Sequence, residues 1–326
     1  MSVKIAIDAM GGDFGPSVTM ASIIRVLSVN TDVSALVFGN LPMMQRCIDN
    51  SPSGSILSRL ELCHCESQVD CHDKPSHALR SKQDSSMAVA LKCLKEGNAD
   101  ACISAGNTGV LMALSLFSLG TLSGISRPAI CAEIPTDNGQ KLMLDLGANV
   151  DCSSEQLHQF AVLGAHTARL ALDIANPRLR LLNIGSEAGK GNALVQTTAE
   201  LLEADGSLNY QGFVEGDGIF QGDADVIICD GFSGNVALKT SEGVANYIYQ
   251  KLSNLTSDFA EFAEAKAAIK PSLFNGAYLL GIDGVVVKSH GSADTQGFAH
   301  ALDRAINAAR HQLPKALAPI LEKQYQ

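Results

Sequence analysis

The sequence predicts an α/β protein, a three-layer α/β/α fold around a mostly parallel sheet. Three observations carry that expectation. Short apolar runs alternate with segments of helical period along the chain, and several runs are unbroken apolar, as in strands covered on both faces. No repeat, low-complexity tract or Pro-rich linker interrupts the alternation. Strands are expected at 3–8, 33–38, 60–65, 100–104, 129–134, 141–146, 179–184, 225–229 and 284–288. Helices are expected near 16–29, 41–49, 85–97, 107–120, 154–173, 190–204, 234–253, 256–268 and 293–312. Alternating strand and helix imply right-handed crossovers and one α/β unit over 1–326, with room for two lobes around a cleft. The last segment shows the period well. Phe298, Ala301, Leu302, Ala305, Ile306 and Ala309 recur at i, i+3, i+4, with Asp303, Arg304 and Arg310 expected to face away.

Composition narrows the function classes. With 46% hydrophobic, 18% charged and 5% aromatic residues and no Trp, the chain is neither disordered, collagen-like nor coiled-coil. Its 24 Lys and Arg against 34 Asp and Glu leave a formal charge of -10, which disfavours general nucleic-acid binding. An anionic ligand therefore has to be held by local geometry. No run of eighteen uncharged apolar residues occurs, and Asp8 arrives too early for a signal peptide. The nine Cys are an odd count scattered through apolar runs, so reduced thiols and a cytoplasmic location are expected.

The chemistry is expected in the loops after the strands. These are Ala9-Met10-Gly11-Gly12-Asp13, Ala105-Gly106-Asn107-Thr108-Gly109, Gly147-Ala148-Asn149, Asn183 to Gly191, Asp230 to Asn235, and Ser289-His290-Gly291-Ser292. In a parallel sheet the carboxyl ends point one way, so these loops are expected to share a crevice. Glycine admits close backbone approach, Asn, Ser and Thr give neutral hydrogen bonds, and helix starts offer N–H groups to an anion. A phosphate or other compact anion fits that set.

Several chemistries lack support. Gly185 to Gly191 is one residue short of a P-loop and places Gly191 where Ser or Thr should bind Mg²⁺. Gly216 to Gly222 misses the dinucleotide spacing, and there is no Gly-x-Ser-x-Gly elbow. Cys63-His64-Cys65 with Cys71, His72 and His77 does not have finger spacing and reads as a strand end entering a polar turn. No cofactor and no metal are expected.

At its loops the chain resembles the acyl-acyl-carrier-protein:phosphate acyltransferases of bacterial phospholipid synthesis, the PlsX family. The resemblance rests on Ile7-Asp8-Ala9-Met10-Gly11-Gly12-Asp13, Ser104-Ala105-Gly106-Asn107-Thr108-Gly109, Leu144 to Asp151, Leu182-Asn183-Ile184-Gly185, Cys229 to Val236 and Lys288-Ser289-His290-Gly291. Residues 212–218 depart from the family's usual run, so Asp217 is left out of the expected site. The resemblance implies a fold akin to phosphotransacetylases and isocitrate-type dehydrogenases. It also implies conversion of a long-chain acyl-carrier-protein thioester and inorganic phosphate into acyl phosphate and free carrier protein, by a homodimer that needs neither metal nor nucleotide.

On this reading Lys190 pairs with phosphate, and Asn107 and Thr108 either donate to phosphate or the oxyanion or simply cap a helix. Gly12, Ser104, Gly106, Asn149, Asn235 and Lys239 complete the anion site. His290 protonates the leaving sulfur, orients phosphate or is structural, whereas Asp8, Asp13, Asp145 and Asp230 are expected to brace loops because a carboxylate repels phosphate. Leu252, Leu255, Phe259 and Phe262 form an apolar stripe suited to a sister subunit or a peripheral membrane contact. Arg178 with Arg180, or Arg80 with Lys82, are candidate docking cations for an acidic carrier protein. A coenzyme-A-dependent acyltransferase, a non-catalytic phospholigand module and a dehydrogenase remain the alternatives.

Overall fold

A computed structural model describes residues 2–48, 54–136, 138–253 and 275–325. The residues at helix starts explain where most helices begin. Ser85, Asn107, Asn192 and Asp294 each accept the third N–H of the helix that follows, and Ser153 forms a reciprocal capping box with Gln156. Pro16 opens another helix at a position where its missing N–H costs nothing. The chain divides into two compact units, 1–128 with 276–326, and 129–275.

In the first unit the strand order is β3 (Leu60–His64), β2 (Val33–Gly39), β1 (Val3–Asp8), β4 (Ala101–Ser104), β11 (Val286–Lys288) and β10 (Ala277–Leu280). All pairs there are parallel except β10–β11. Helices α1 (Pro16–Val29) and α10 (Thr295–Arg310) pack on each other, while α5 (Ser86–Lys95) packs on α6 (Thr108–Leu119) and on β1, β2 and β4. Ile5, Ile7, Met87, Leu91, Ile103, Leu111 and Phe298 are fully buried. Short helices α2 (Leu41–Ile48), α3 (Gly54–Leu57) and α4 (Pro75–Ser81) and the closing α11 (Leu313–Tyr325) complete this unit.

The second unit carries the order β5 (Ala129–Thr136), β6 (Gly139–Leu144), β9 (Val226–Ile228), β7 (Leu179–Leu182) and β8 (Tyr210–Val214). Only the β5–β6 hairpin is antiparallel. Helix α7 (Ser154–Ala171) packs on β6, β9 and α8 (Ala193–Ala204), and α9 (Gly231–Ser253) follows β9. Gly164 lets α7 approach, since a methyl there would lie 2.6 Å from Val226 Cγ1.

The α/β class with a mostly parallel sheet is therefore the one the periodicity predicts, and all nine expected strands are present. Two more were not expected. β8 contains Gly212 at φ 78° and meets β7 across a register irregularity, so it has no apolar run to announce it. β10 is only four residues long and pairs antiparallel with β11. One expectation on α10 is corrected: Arg304 is 8% exposed, and its Nη1 donates to the carbonyl of Gly276 at 2.9 Å. The expected helix at 256–268 and the Leu255, Phe259 and Phe262 part of the apolar stripe lie outside the described residues. Among the described residues no helix is long and apolar enough to cross a membrane.

Candidate active site

In the first unit the loops after β1, β4 and β11 meet backbone to backbone. The Asp13 N–H donates to Gly291 O at 2.8 Å, and the Ser289 N–H to Ser104 O at 2.9 Å. A methyl on Gly11 would lie 2.5 Å from Gly106 N, and one on Gly12, itself at φ 88°, 3.0 Å from Gly291 O. Gly12, Ala105, His290 and Gly291 line one small pocket. Lys288 extends its ammonium across the cluster to the carbonyls of Ala105 and Ser289. That lysine was not among the expected site residues, although the Lys288-Ser289-His290-Gly291 run pointed to its neighbourhood.

The side chains around this cluster divide by what they already bind. Asn107 caps α6 through Oδ1 to the Val110 N–H at 3.1 Å, and its Nδ2 donates to Cys71 O and Asp73 O. Its amide therefore holds loops together. Thr108 and Gly109, both exposed, begin α6 with N–H groups that meet no partner among the described residues, so these two donors are open to an anion. Ser104 is corrected. Its hydroxyl is fully buried, donates to Asp8 at 2.6 Å and accepts from the Gly106 N–H at 3.0 Å, so it supports the loop from beneath. Asp8, 2% exposed, also accepts from Ser86 Oγ at 2.6 Å; burial pushes its carboxyl above the usual range.

In the second unit β9 lies between β6 and β7, and all three run parallel, so their following loops leave from the same edge. Asp145 organises the first of these loops. Its carboxylate accepts from the N–H groups of Ile130, Gly147, Ala148 and Asn149 and from Asn149 Nδ2, at 2.7–3.2 Å. Burial raises its pKa above the ordinary 3.8. The consequence corrects the expectation for this loop: Asn149 and the backbone donors beside it are turned inward to Asp145. Gly231 donates its N–H to Asn149 O at 2.8 Å, and Asp230 accepts from Ser233 N and Oγ. Asn235 packs against Gly147 in the first turn of α9. Lys239 sits eight residues after Gly231, about 12 Å along the helix, and pairs with Glu242 at 2.8 Å, which removes it from the loop cluster.

Lys190 is different. Its carbonyl accepts from Asn183 Nδ2 at 3.1 Å and from Gln196, which fixes the turn. Its side chain is exposed, and its ammonium makes no ion pair among the described residues. An exposed cation on a fixed turn is suited to an incoming anion.

Three buried or half-buried thiols of the strands and loops are held in their neutral form. Burial pushes Cys152, beside Asn149, up to about 11, and also raises Cys229 and Cys102 well above the usual thiol range. The residues of the 63–77 segment are used locally: Cys65 is buried in the core, His64 Nδ1 accepts from the Leu41 N–H, and His77 faces Asp73 and Ser81. Among the described residues no group of three or more His, Cys, Asp or Glu could hold a metal ion.

Comparison with known proteins decides the family. A family profile described as "Fatty acid synthesis protein" matches residues 3–316. A phosphate acyltransferase from Pseudomonas putida is 47% identical over 329 residues, covering 98% of this chain and 97% of that one. The chain belongs to this phosphate acyltransferase family. It is thus an enzyme of acyl transfer involving phosphate, in fatty acid synthesis. Solved structures agree on the fold. A phosphotransacetylase from Streptococcus pyogenes aligns with a TM-score of 0.63 at 17% identity, covering 95% of this chain and 94% of that chain. A 4-hydroxythreonine-4-phosphate dehydrogenase from Klebsiella pneumoniae aligns at 0.55 and 14%, covering 95% and 98%.

Proposed function

We propose that this phosphate acyltransferase converts a long-chain acyl-carrier-protein thioester and inorganic phosphate into acyl phosphate and free carrier protein. The observation that carries the reading is the first unit's three-loop cluster: a small pocket lined by Gly11, Gly12, Ala105, His290 and Gly291 and by no Cys or Ser, with the Lys288 ammonium at the Ala105 carbonyl and the open Thr108 and Gly109 N–H groups at the start of α6. A phosphate oxygen attacks the thioester carbonyl carbon, the carbonyl becomes an oxyanion, and the C–S bond breaks. The thiolate leaves and takes up a proton. Phosphate is already partly dianionic at neutral pH and a thiolate departs readily, so the demand on the protein is alignment and oxyanion stabilisation. The Thr108 and Gly109 N–H groups serve the oxyanion or phosphate, and His290, at the pocket, orients phosphate or supplies the proton. Residues 1–326 act as one phosphate acyltransferase domain, and Lys190, exposed on its fixed turn, pairs with an anionic substrate group.

An acidic carrier protein requires exposed cations. Arg178 is engaged by Asp225 and Gly222 O, Arg180 by Phe213 O, and Lys82 by Gln68 O with Asp70 and Asp73 nearby. Arg80, exposed on α4 beside the start of α6, is the docking cation this favours. The enzyme is further proposed to be a cytoplasmic homodimer able to contact a membrane peripherally. Phe232, Val236, Val244, Tyr247 and Ile248, all exposed along α9, support a covered face there.

The test is direct. Purified protein with palmitoyl-carrier protein and phosphate should yield a hydroxylamine-trappable acyl phosphate, faster than with palmitoyl-coenzyme A; equal or greater rates with the coenzyme would overturn the carrier-protein assignment. Lys190→Ala should lower phosphate-dependent turnover by about 100-fold or more with an unchanged melting temperature, as expected for an exposed substrate-pairing cation. Wild-type turnover in that variant removes Lys190 from the site.

A further inference from the structure

Asp8 is a buried charge that the reaction, as written above, does not use. Isolated burial of a carboxylate is costly, and a negative charge beneath a phosphate site adds repulsion. Its surroundings explain why an acid stands there. Oδ1 accepts from Ser86 Oγ at 2.6 Å and the Met10 N–H at 3.2 Å, Oδ2 accepts from Ser104 Oγ at 2.6 Å, and the Gly11 N–H also donates to the carboxylate. Every neighbour is a donor. Ser104 links the two loops, because its hydroxyl donates to Asp8 while its oxygen accepts from the Gly106 N–H at 3.0 Å. An amide in place of the carboxylate accepts at only one of its two terminal atoms, so the hydrogen bonds on the other side would be lost.

These contacts connect the loops after β1 and β4. The Gly106 N–H is drawn inward, while the Thr108 and Gly109 N–H groups further along the same loop stay open. Gly11 lies against Gly106 N and Asp8 Oδ2, with no room for a methyl group between them. The loop after β11 joins through the Ser289 N–H to Ser104 O.

We propose that Asp8, acting through Ser104, is a positioning residue for phosphate capture: it locks the Gly11 and Gly106 loops in the register that presents the Thr108 and Gly109 donors. The inference rests on the phosphate-capture reading above and extends it to a group that touches no substrate.

The experiment measures steady-state kinetics of the full chain with inorganic phosphate and palmitoyl-carrier protein for Asp8→Asn, Ser104→Ala, their double variant and Ser86→Ala. In parallel, the rise in melting temperature on adding phosphate is measured. Asp8→Asn and Ser104→Ala should each raise KM for phosphate by about 10- to 100-fold, with KM for the thioester changed by less than about twofold. The double variant should be no worse than the poorer single variant, because both break one linkage. Ser86→Ala, which leaves the Ser104 link intact, should keep its phosphate KM. Phosphate should protect the wild type and Ser86→Ala against unfolding, and protect the other variants far less. A role confined to stability would instead lower the folded fraction and kcat at constant KM, which overturns the proposal, as does multiplication of the two single effects. If Asp8→Asn does not fold, Ser104→Ala decides by the same criteria. Wild-type protein that phosphate stabilises without turning over would defeat the functional reading while leaving this inference to the protection data; wild type that phosphate does not stabilise overturns the inference itself.

Discussion

Gly11→Ala is expected to lower kcat/KM by about 100-fold or more while the protein still folds. The new methyl would stand 2.5 Å from the backbone nitrogen of Gly106 and 2.9 Å from Asp8 Oδ2, with the Gly106 Cα at 3.1 Å. None of these is the far end of a flexible side chain, so the two loops must separate. Displacements on the order of 1 Å at a positioned reaction cost about 10²-fold in rate. Overpacking of this kind costs about 1–3 kcal/mol, leaving a chain of this size folded with a melting temperature lower by several degrees. Kinetics and thermal unfolding on one preparation separate the two effects. Retained wild-type kcat/KM would show that the contact between these loops is not part of the active site.

Asp225→Asn should produce the opposite pattern, a large loss of stability with activity per folded molecule preserved. Asp225, 5% exposed, accepts from Lys141 Nζ at 2.7 Å and from Arg178 N and Nε at 2.8 and 3.0 Å. These groups sit at the starts of β6, β9 and β7, at the other end of the strands from the loops. Lys141 is itself buried, and removing the charge that faces it costs about 3–5 kcal/mol, or on the order of 10 °C in melting temperature. The sign with pH follows from the carboxyl. Hydrogen bonds from Arg178 and Lys141 outweigh burial and hold it at about 2, below its ordinary 3.8. A depressed carboxyl contributes stability that is complete above the unfolded value and disappears as pH falls through the folded one. The gap between wild type and variant should therefore be full at pH 5–7 and close between about pH 4 and 2. Calorimetry across that range checks it; a gap that persists to pH 2 would mean the loss comes from packing and not from charge.

Much of this was legible in the residues. Nine apolar runs marked nine strands, and side chains such as Ser85, Asn192 and Asp294 marked helix starts, because burial and capping are local demands written at fixed spacing. The bracing role of Asp8, Asp145 and Asp230 also followed from charge, since a carboxylate next to phosphate is repelled. What could not be read was the partner of each polar group. Ser104 and Asn149 looked like ligand donors, and only their contacts with Asp8 and Asp145 show them turned inward. Arg304 fell on the solvent side of a helical wheel, yet the carbonyl of Gly276, 28 residues away in sequence, draws it into the interior. β8 and β10 escaped because one carries a glycine at positive φ and the other is short.

By itself, then, the order of residues determined the α/β class, the places where strands and helices alternate and the lack of a nucleotide fingerprint. These depend on side-chain type and near-neighbour spacing. Tertiary structure alone decided which donors remain open. Asp8 and Ser104 are 96 positions apart, and the direction of a hydroxyl or an amide is set by whichever acceptor the fold places within 3 Å of it. Hydrogen bonding is short-ranged and directional, so a pattern along the chain can name the candidates, and only packing assigns their partners.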